Sequence, residues 1–343
     1  MDGGPAPTRP RRPVPFDALP GWGAAEAEAL VAGLARHLDP DVMARPFQAP
    51  WLSKLPDLDG PPLEVVVRLF EPQVIEAEAF FTGYFEPVIR ASRTRDAVYA
   101  TPIYRRPADL VRTEPRENLP GEGTFGRALP DGQIVPHFDR AAIEDGALAG
   151  AGLELAFAAD PVDAFFAQVQ GSARLTFPDG RQTRIGYHGR NGYPYTAIGR
   201  VLIDWGVLPE GGATMQTIRA ALAADPVLAR NVCQQNRSFV FFRERADGDL
   251  SLGATAAGGV PLVPFRSLAV DRREIAFGTP LYVETVVPEK GPIAQVMFAE
   301  DMGSAILGPA RGDIFMGTGD AAGAMAGGMK GSGRLTVFAP RFL

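Results

Sequence analysis

The spacing of apolar residues changes along the chain from a helical pattern to an alternating one. Residues 23–38 carry leucines at helical spacing and end before Pro40, which predicts a helix. From residue 239 onward most segments alternate apolar and polar positions and are interrupted by glycine, which predicts strands. The C-terminal third is therefore predicted to be all β and to form a small barrel.

Strand and helix signals continue through the middle of the chain. The segments 63–70 and 79–93 are rich in β-branched and aromatic residues and predict strands. Asp160 followed by Pro161 predicts the start of a helix, which Gly171 would end. Pro-Asp-Gly within residues 173–189 predicts a hairpin. Residues 214–224 and 227–236 predict a pair of helices.

Glycine and strand content suggest a mainly β protein with a few helices and an interrupted barrel. Ten glycines lie between Gly303 and Gly333, and we expect no helix there. We expect a disordered linker over 1–20 and a discontinuous barrel domain over 21–87 and 208–343. A smaller β-rich domain, inserted over 88–207, would bind substrate.

Composition excludes several classes of function. The net charge of −6 gives no electrostatic footprint for nucleic acid. The three histidines lie far apart and Cys233 is the single cysteine, so we expect no metal, no cofactor and no internal disulfide. We expect Cys233 to be buried on a helix. No apolar run approaches the roughly 18 residues that a membrane-spanning helix requires.

The N-terminal segment is basic and rich in proline. It has neither the apolar region of a signal peptide nor a cysteine for lipidation. Either an export signal was removed upstream of Met1 or the protein is not exported, and the sequence leaves both open.

Three aspartates near glycine are the candidate chemical groups. Asp271, Asp301 and Asp313 each follow or interrupt a strand-like segment. A carboxylic acid held on a rigid strand beside a groove is the usual means of breaking a glycosidic bond. From the residues alone, a turn role at Asp313 competes with catalysis. Asp301 either tunes the acid, binds sugar or holds a turn, and Asp271 is expected to hold a loop through the neighbouring arginines.

Two further groups of residues suit sugar binding. Thr82, Gly83 and Tyr84 combine a hydroxyl, an exposed backbone and an aromatic face. The competing interpretation is an ordinary strand with a core tyrosine. Glu86 precedes a proline, so we expect an edge position and assign it no catalysis.

The end of the helix that begins at Asp160 and a tyrosine-rich segment form the second group. Gln170, Gly171 and Ser172 offer an amide and open space for N-acetyl and hydroxyl groups, or a structural cap. Tyr193 and Tyr195 are predicted to face one side of a strand. For Tyr195, sugar stacking competes with packing between domains.

Several tracts occur in the order of one family. They are FTGYFEPVIRASRT (81–94), TPIYRRP (101–107), DAFFAQVQGSARL (163–175), NGYPYTAIGRVLIDWG (191–206), QNRSFVFFR (235–243), SLAVDRREIAFGTPLYVE (267–284) and AEDMGSAILGPARGDIFMGTG (299–319). The chain thereby resembles the membrane-bound lytic transglycosylase A (MltA) family of peptidoglycan enzymes over roughly residues 80 to 335.

The resemblance implies a double-psi β-barrel, a smaller domain and a glycan groove between them. It implies that Asp313 is the catalytic acid, and that Asp301 and Asp271 are the other members of a three-aspartate domain. Relatives often carry a larger residue at Gly312. The implied location is the periplasm, associated with the outer membrane, with a peptidoglycan strand as partner. Association with a wall-synthesis complex stays open, and we expect a monomer.

The implied reaction cleaves the β-1,4 bond between N-acetylmuramic acid and N-acetylglucosamine and forms a 1,6-anhydro ring. One alternative is an expansin-like protein that binds glycan or loosens the wall without catalysis. The other is a hydrolytic muramidase, which needs a second carboxylate to activate water. His137 lies in a turn-rich region, and its similarity to expansin barrels is interpreted as coincidence.

Overall fold

The computed structural model describes residues 10–245, 252–303 and 305–343. The strands are β1 Arg11–Pro13, β2 Phe70–Ile75, β3 Ala79–Glu86, β4 Val88–Ser92, β5 Thr101–Tyr104, β6 Leu110–Arg112, β7 Phe125–Ala128, β8 Ile134–Val135, β9 Glu154–Ala158, β10 Ser172–Thr176, β11 Gln182–Arg190, β12 Val240–Arg245, β13 Ser267–Val270, β14 Pro280–Val287, β15 Gly291–Asp301, β16 Arg311–Thr318 and β17 Lys330–Pro340. The helices are α1 Ala24–His37, α2 Pro40–Met43, α3 Pro62–Leu69, α4 Arg140–Ala142, α5 Pro161–Gln170, α6 Ile198–Asp204, α7 Met215–Ala224, α8 Pro226–Gln235 and α9 Asp320–Gly328. The chain divides into two compact units, Met1–Phe85 with Asp249–Leu343, and Glu86–Gly248.

The first unit contains a closed β-barrel that is discontinuous in sequence. Strands β17, β14, β15, β13, β16 and β3 follow one another around the ring, and β17 also pairs with β3. Strands β1 and β2 extend the sheet beyond β17. Apolar side chains from these strands, among them Leu268, Ile314 and Leu335, fill the interior. The predicted mainly β fold with a discontinuous barrel is confirmed.

Helix α1 packs against the outside of the barrel at unusually close range. A Cβ atom added at Gly33 would lie 2.0 Å from the ring of Phe298 on β15. Leu30 and Leu34 are fully buried in the same cluster of apolar side chains. Glycine at position 33 therefore lets the helix backbone approach the barrel wall.

Over its described residues, 86–245, the second unit contains two sheets and a group of helices. One sheet has the strand order β12-β11-β10-β4-β9-β5, and the other has the order β6-β7-β8. The predicted hairpin of β10 and β11 and the helices α1, α5, α7 and α8 are present. Asp160 caps α5 through the Val162 N–H, and Gly171 ends it with φ of 78°. Cys233 is buried on α8, as predicted.

Two predicted elements are wrong. Residues 63–70 were expected to be a strand, but α3 occupies Pro62–Leu69 and buries Val65, Val66 and Leu69. Proline at the first helical position favours the helix, and tertiary packing outweighs the β-branched residues. The glycine-rich segment also holds α9, where a Cβ at Gly323 would lie 2.9 Å from the Phe85 ring.

The predicted ends of the domains also differ from the structure. Within the expected linker, β1 pairs with β2, whereas residues 1–9 lie outside the described part of the chain. The second unit continues past the predicted boundary at residue 207, because β12 pairs with β11. Among the described residues, no helix has both the length and the apolar character needed to cross a bilayer.

Candidate active site

The outer face of the barrel wall brings two of the predicted aspartates together. Ala269 on β13 pairs with Asp313 on β16 and with Asp301 on β15. Side chains of directly paired residues project to the same face of a sheet, and two strand spacings amount to roughly 10 Å. Ile314 and Met316 belong to the barrel interior. Alternation along β16 therefore places Asp313 on the outside.

Asp313 is held by a hydroxyl from the neighbouring strand. Thr82 on β3 donates to Asp313 Oδ1 across 2.5 Å. Arg311 donates in turn to Thr82 Oγ1 across 2.6 Å, and its guanidinium also donates to the Phe80 carbonyl at 3.3 Å. Because Arg311 directs its N–H toward the Thr82 oxygen, the hydroxyl proton is left to point at the carboxyl group.

The surroundings of Asp313 favour its protonated form. Burial is the largest cause and raises the pKa of Asp313 to about 6, and repulsion from Asp301 acts in the same direction. The Thr82 hydrogen bond and the charge of Arg311 oppose this rise. At pH 7 a carboxyl group with this pKa is protonated in about one molecule in ten, compared with roughly one in a thousand for an exposed aspartate.

Both carboxylate oxygens of Asp301 have donors. Oδ1 accepts from the Ala257 N–H and Oδ2 accepts from the Tyr84 hydroxyl, each at 3.1 Å. Burial raises the pKa of Asp301. Burial and the nearby carboxylates also hold the pKa of Tyr84 well above its usual value, so the phenol keeps its proton. The Tyr84 ring packs on Phe315 with centroids 5.3 Å apart.

Asp271 holds a loop. It accepts from Arg273 Nε at 2.9 Å, from Arg273 Nη2 at 2.7 Å and from the Gly308 N–H at 2.9 Å. The hydrogen bonds from Arg273 are the largest cause that lowers the pKa of Asp271 to about 2. These contacts agree with the loop-holding interpretation of Asp271.

Two glycines at the site are explained by packing. A Cβ at Gly83 would lie 2.7 Å from Met316 Cε and 3.0 Å from Ala326 Cα on α9. A Cβ at Gly312 would lie 2.9 Å from the Phe81 ring. A larger residue at position 312 therefore requires Phe81 to move.

The other predicted sugar-binding residues belong to the second unit. Gln170 ends α5, Gly171 is its left-handed cap, and Ser172 begins β10. All three are partly exposed, and the space around a Cβ at Gly171 is open.

The tyrosine segment is not the predicted strand. Tyr193 is buried with the Arg237 guanidinium 4.2 Å from its ring centroid, whereas Tyr195 is 44% exposed. Tyr193 therefore has a packing role, while the ring of Tyr195 is accessible for stacking.

Glu86 does not occupy an exposed edge as expected. Its side chain is fully buried and forms ion pairs with Arg184 at 2.5 Å and Arg174 at 3.1 Å. His137 is also buried, in the second unit. Sequence reasoning missed Arg311, although its position two residues before Asp313 on a strand placed it on the same face.

The described side chains of this site are not arranged as metal ligands. Within residues 10–245, 252–303 and 305–343, no group of three or more His, Cys, Asp or Glu side chains is arranged to hold a metal ion.

A closed barrel carrying a partly buried, readily protonated carboxyl group defines a class of protein suited to acid catalysis. Family comparison adds two matches, the MltA specific insert domain over residues 80–243 and the 3D domain over residues 266–339. The chain belongs to the MltA family.

Individual relatives extend this likeness. The membrane-bound lytic murein transglycosylase A of Escherichia coli K12 is 36% identical over 265 residues, which are 75% of this chain and 64% of that protein. The chain thus matches just under two thirds of that relative's length. The structure of membrane-bound lytic murein transglycosylase from Agrobacterium tumefaciens has 37% identity and a TM-score of 0.86, over 96% of this chain and 98% of that one. The structure of E. coli MltA with bound chitohexaose has 28% identity and a TM-score of 0.72, over 97% and 95% of the two chains.

Proposed function

We propose that this protein is a peptidoglycan lytic transglycosylase, a lyase that uses Asp313 as its single acid and base. The substrate would be the β-1,4 bond between N-acetylmuramic acid and N-acetylglucosamine. The names of the relatives and the chitohexaose bound to one of them support a glycan substrate.

The carboxyl group of Asp313 would first act as an acid. Its proton passes to the glycosidic oxygen as the bond from that oxygen to C1 breaks. The C6 hydroxyl of the muramic acid then attacks C1, and the Asp313 carboxylate takes the hydroxyl proton. The acid is thereby restored, no water is consumed, and the product carries a 1,6-anhydro ring. Because the nucleophile is tethered within the substrate, one catalytic carboxyl group is sufficient.

The environment of Asp313 is the single observation that carries this proposal. Burial raises the pKa of Asp313 to about 6, which leaves a usable protonated fraction near neutral pH. The same pKa also leaves a carboxylate that can accept the C6 hydroxyl proton in the second step.

A hydrolytic muramidase is less favoured. Its second carboxylate would have to activate water. Asp301 shares the face of Asp313, and its two oxygens already accept from Ala257 and Tyr84. An expansin-like binder is less favoured because binding alone requires no carboxyl group of raised pKa.

The remaining assignments extend the proposal. Thr82 and Tyr84 would support the acid, and Gln170, Gly171, Ser172 and Tyr195 would contact the glycan from a substrate-binding second unit. The protein would act as a monomer in the periplasm at the outer membrane, in keeping with the membrane-bound relatives.

Digestion of purified murein tests the proposed function. Mass spectrometry of the soluble products should find 1,6-anhydromuropeptides, which are lighter than reducing-end muropeptides by one water molecule. Reducing-end products would establish a hydrolase, and the absence of soluble products would indicate a binder.

A further inference from the structure

An extra residue in β15 determines which carboxyl group lies in the same cross-strand row as Asp313, two strands away. Leu268 pairs with Ala299, but the next residue of β13, Ala269, pairs with Asp301. Glu300 is thus the additional residue of a β-bulge. Without the bulge, Glu300 would lie opposite Ala269, and Asp301 would move one position away from the row that contains Asp313.

The side chain of Glu300 is fully buried and has several partners. Oε1 accepts from Arg36 and lies 3.1 Å from His37 Nε2, and Oε2 accepts from Ser267. The Glu300 carbonyl accepts from the Gly258 N–H at 2.7 Å. The bulged residue is therefore tied to α1, to β13 and to the loop before β13.

These contacts make the bulge costly to shift. A buried carboxylate that loses its partners keeps the full cost of desolvation, which is several times the net gain from an ordinary hydrogen bond. Sliding β15 by one residue would carry the Glu300 carboxylate away from Arg36 and Ser267. The ion pair between Arg36 and Glu300 therefore stabilises the register of β15, in which Asp301 directly follows Glu300.

We propose that Glu300 is a positioning residue, which fixes the bulge in β15 and so keeps Asp301 in the same cross-strand row as the catalytic Asp313. The expected effect on kcat rests on the proposed function. The expected effect on the titration of Asp313 follows from the structure and does not depend on that function. The charges of Arg311 and Asp301 act on Asp313, and the Tyr84 phenol, which donates to Asp301, lies within reach of both aspartates. Arg36 and His37 contact Glu300, and the charge of Glu300 raises the pKa of Asp301.

The test is the variant Glu300→Gln, which keeps the size of the side chain and removes its charge. A loosened bulge moves Asp301 out of the row of Asp313 and weakens its repulsion, so the pKa of Asp313 should fall. Loss of the Glu300 charge alone would leave Asp301 more ionised and would raise the pKa of Asp313, so the direction of the shift distinguishes the two effects. The Asp313 carboxyl resonance, followed by ¹³C NMR as pH is varied, should titrate at lower pH than in the wild type. On murein, kcat should fall by about ten- to a hundredfold with KM little changed, and its alkaline limb should move to lower pH.

The matched control is Glu26→Gln. Glu26 also joins α1 to β15, through the Val296 N–H at 2.6 Å and through Arg266, but β15 has no bulge at Val296. This variant should lose stability and keep the wild-type titration of Asp313. If Glu300→Gln does not fold, Ser267→Ala removes one hydrogen bond to Glu300 and should shift the titration in the same direction.

The outcomes separate the two proposals. An unchanged Asp313 titration in the folded Glu300→Gln variant, or in Ser267→Ala if that variant alone folds, would overturn the positioning role. Wild-type protein that releases no anhydro products would overturn the proposed function, and the NMR titration would still decide the role of Glu300.

Discussion

The Thr82 hydroxyl donates to Asp313 Oδ1 across 2.5 Å, and it joins β3 to β16 at the proposed catalytic acid. The two residues are 231 positions apart in the chain, so closure of the barrel creates this pair. A hydroxyl that donates to a carboxylate stabilises the charged form, and it thereby limits how far burial raises the pKa.

Thr82→Val keeps the shape of the side chain and removes this donor. The pKa of Asp313 should then rise above its value of about 6, because the hydrogen bond lowers it in the wild type. The alkaline limb of the kcat profile on murein should move to higher pH, and Thr82→Ser should restore the wild-type limb. A Thr82→Val profile equal to the wild type would show that the hydroxyl does not act on the acid.

Asp313→Asn should stabilise the protein at neutral pH while it abolishes activity. The folded pKa is raised from 3.8 to about 6, so the folded state binds a proton more tightly than the unfolded state. Below pH of about 4 the group is protonated in both states and carries no penalty. As pH rises through about 6 a destabilisation on the order of 2–3 kcal/mol develops, and asparagine removes it.

Urea unfolding at pH 4 and pH 7.5 measures this effect. The asparagine variant should match the wild type at the lower pH and exceed it at the higher one. Equal stability at both values would mean that burial does not perturb the acid.

Asp271→Asn should affect stability and leave the pH profile of activity unchanged. The pKa of Asp271 is lowered from 3.8 to about 2. The stability that its carboxylate contributes to the folded state is therefore present above pH of about 4 and is lost as pH falls toward 2. We expect a loss of about 1–2 kcal/mol at pH 7, reduced by screening because Arg273 is largely exposed. Thermal unfolding measures the loss of stability, and the pH profile of kcat measures the effect on activity. A shifted profile would show that Asp271 acts on the acid, Asp313.

Gly83→Ala separates packing from sugar binding. The added methyl group would meet Met316 Cε at 2.7 Å and Ala326 Cα at 3.0 Å, so the free energy of unfolding should fall by about 1–3 kcal/mol. KM for murein should stay at the wild-type value. Raised KM with unchanged stability would favour the alternative that the Gly83 backbone approaches the glycan.

The sequence predicted the mainly β barrel, because its strands leave local signals. Alternation marked the strands, and two of the aspartates lie on them: Asp301 ends β15, and Asp313 follows Gly312 near the start of β16. Helix α9 escaped prediction because its glycines depend on close packing against a distant residue, Phe85. The bulge at Glu300 could not be predicted from the sequence either, because Arg36 and Ser267, which donate to the Glu300 carboxylate, are brought together only by the fold.

The central claim is that a single carboxyl group cleaves the glycan without consuming water. Its most direct test is digestion of murein in water enriched in ¹⁸O. A transglycosylase closes the ring with the substrate's own C6 oxygen, so the new anhydro ends should carry no ¹⁸O, and Asp313→Asn should release no product. Incorporation of ¹⁸O at the newly formed ends, or product release by a folded Asp313→Asn variant, would contradict the account.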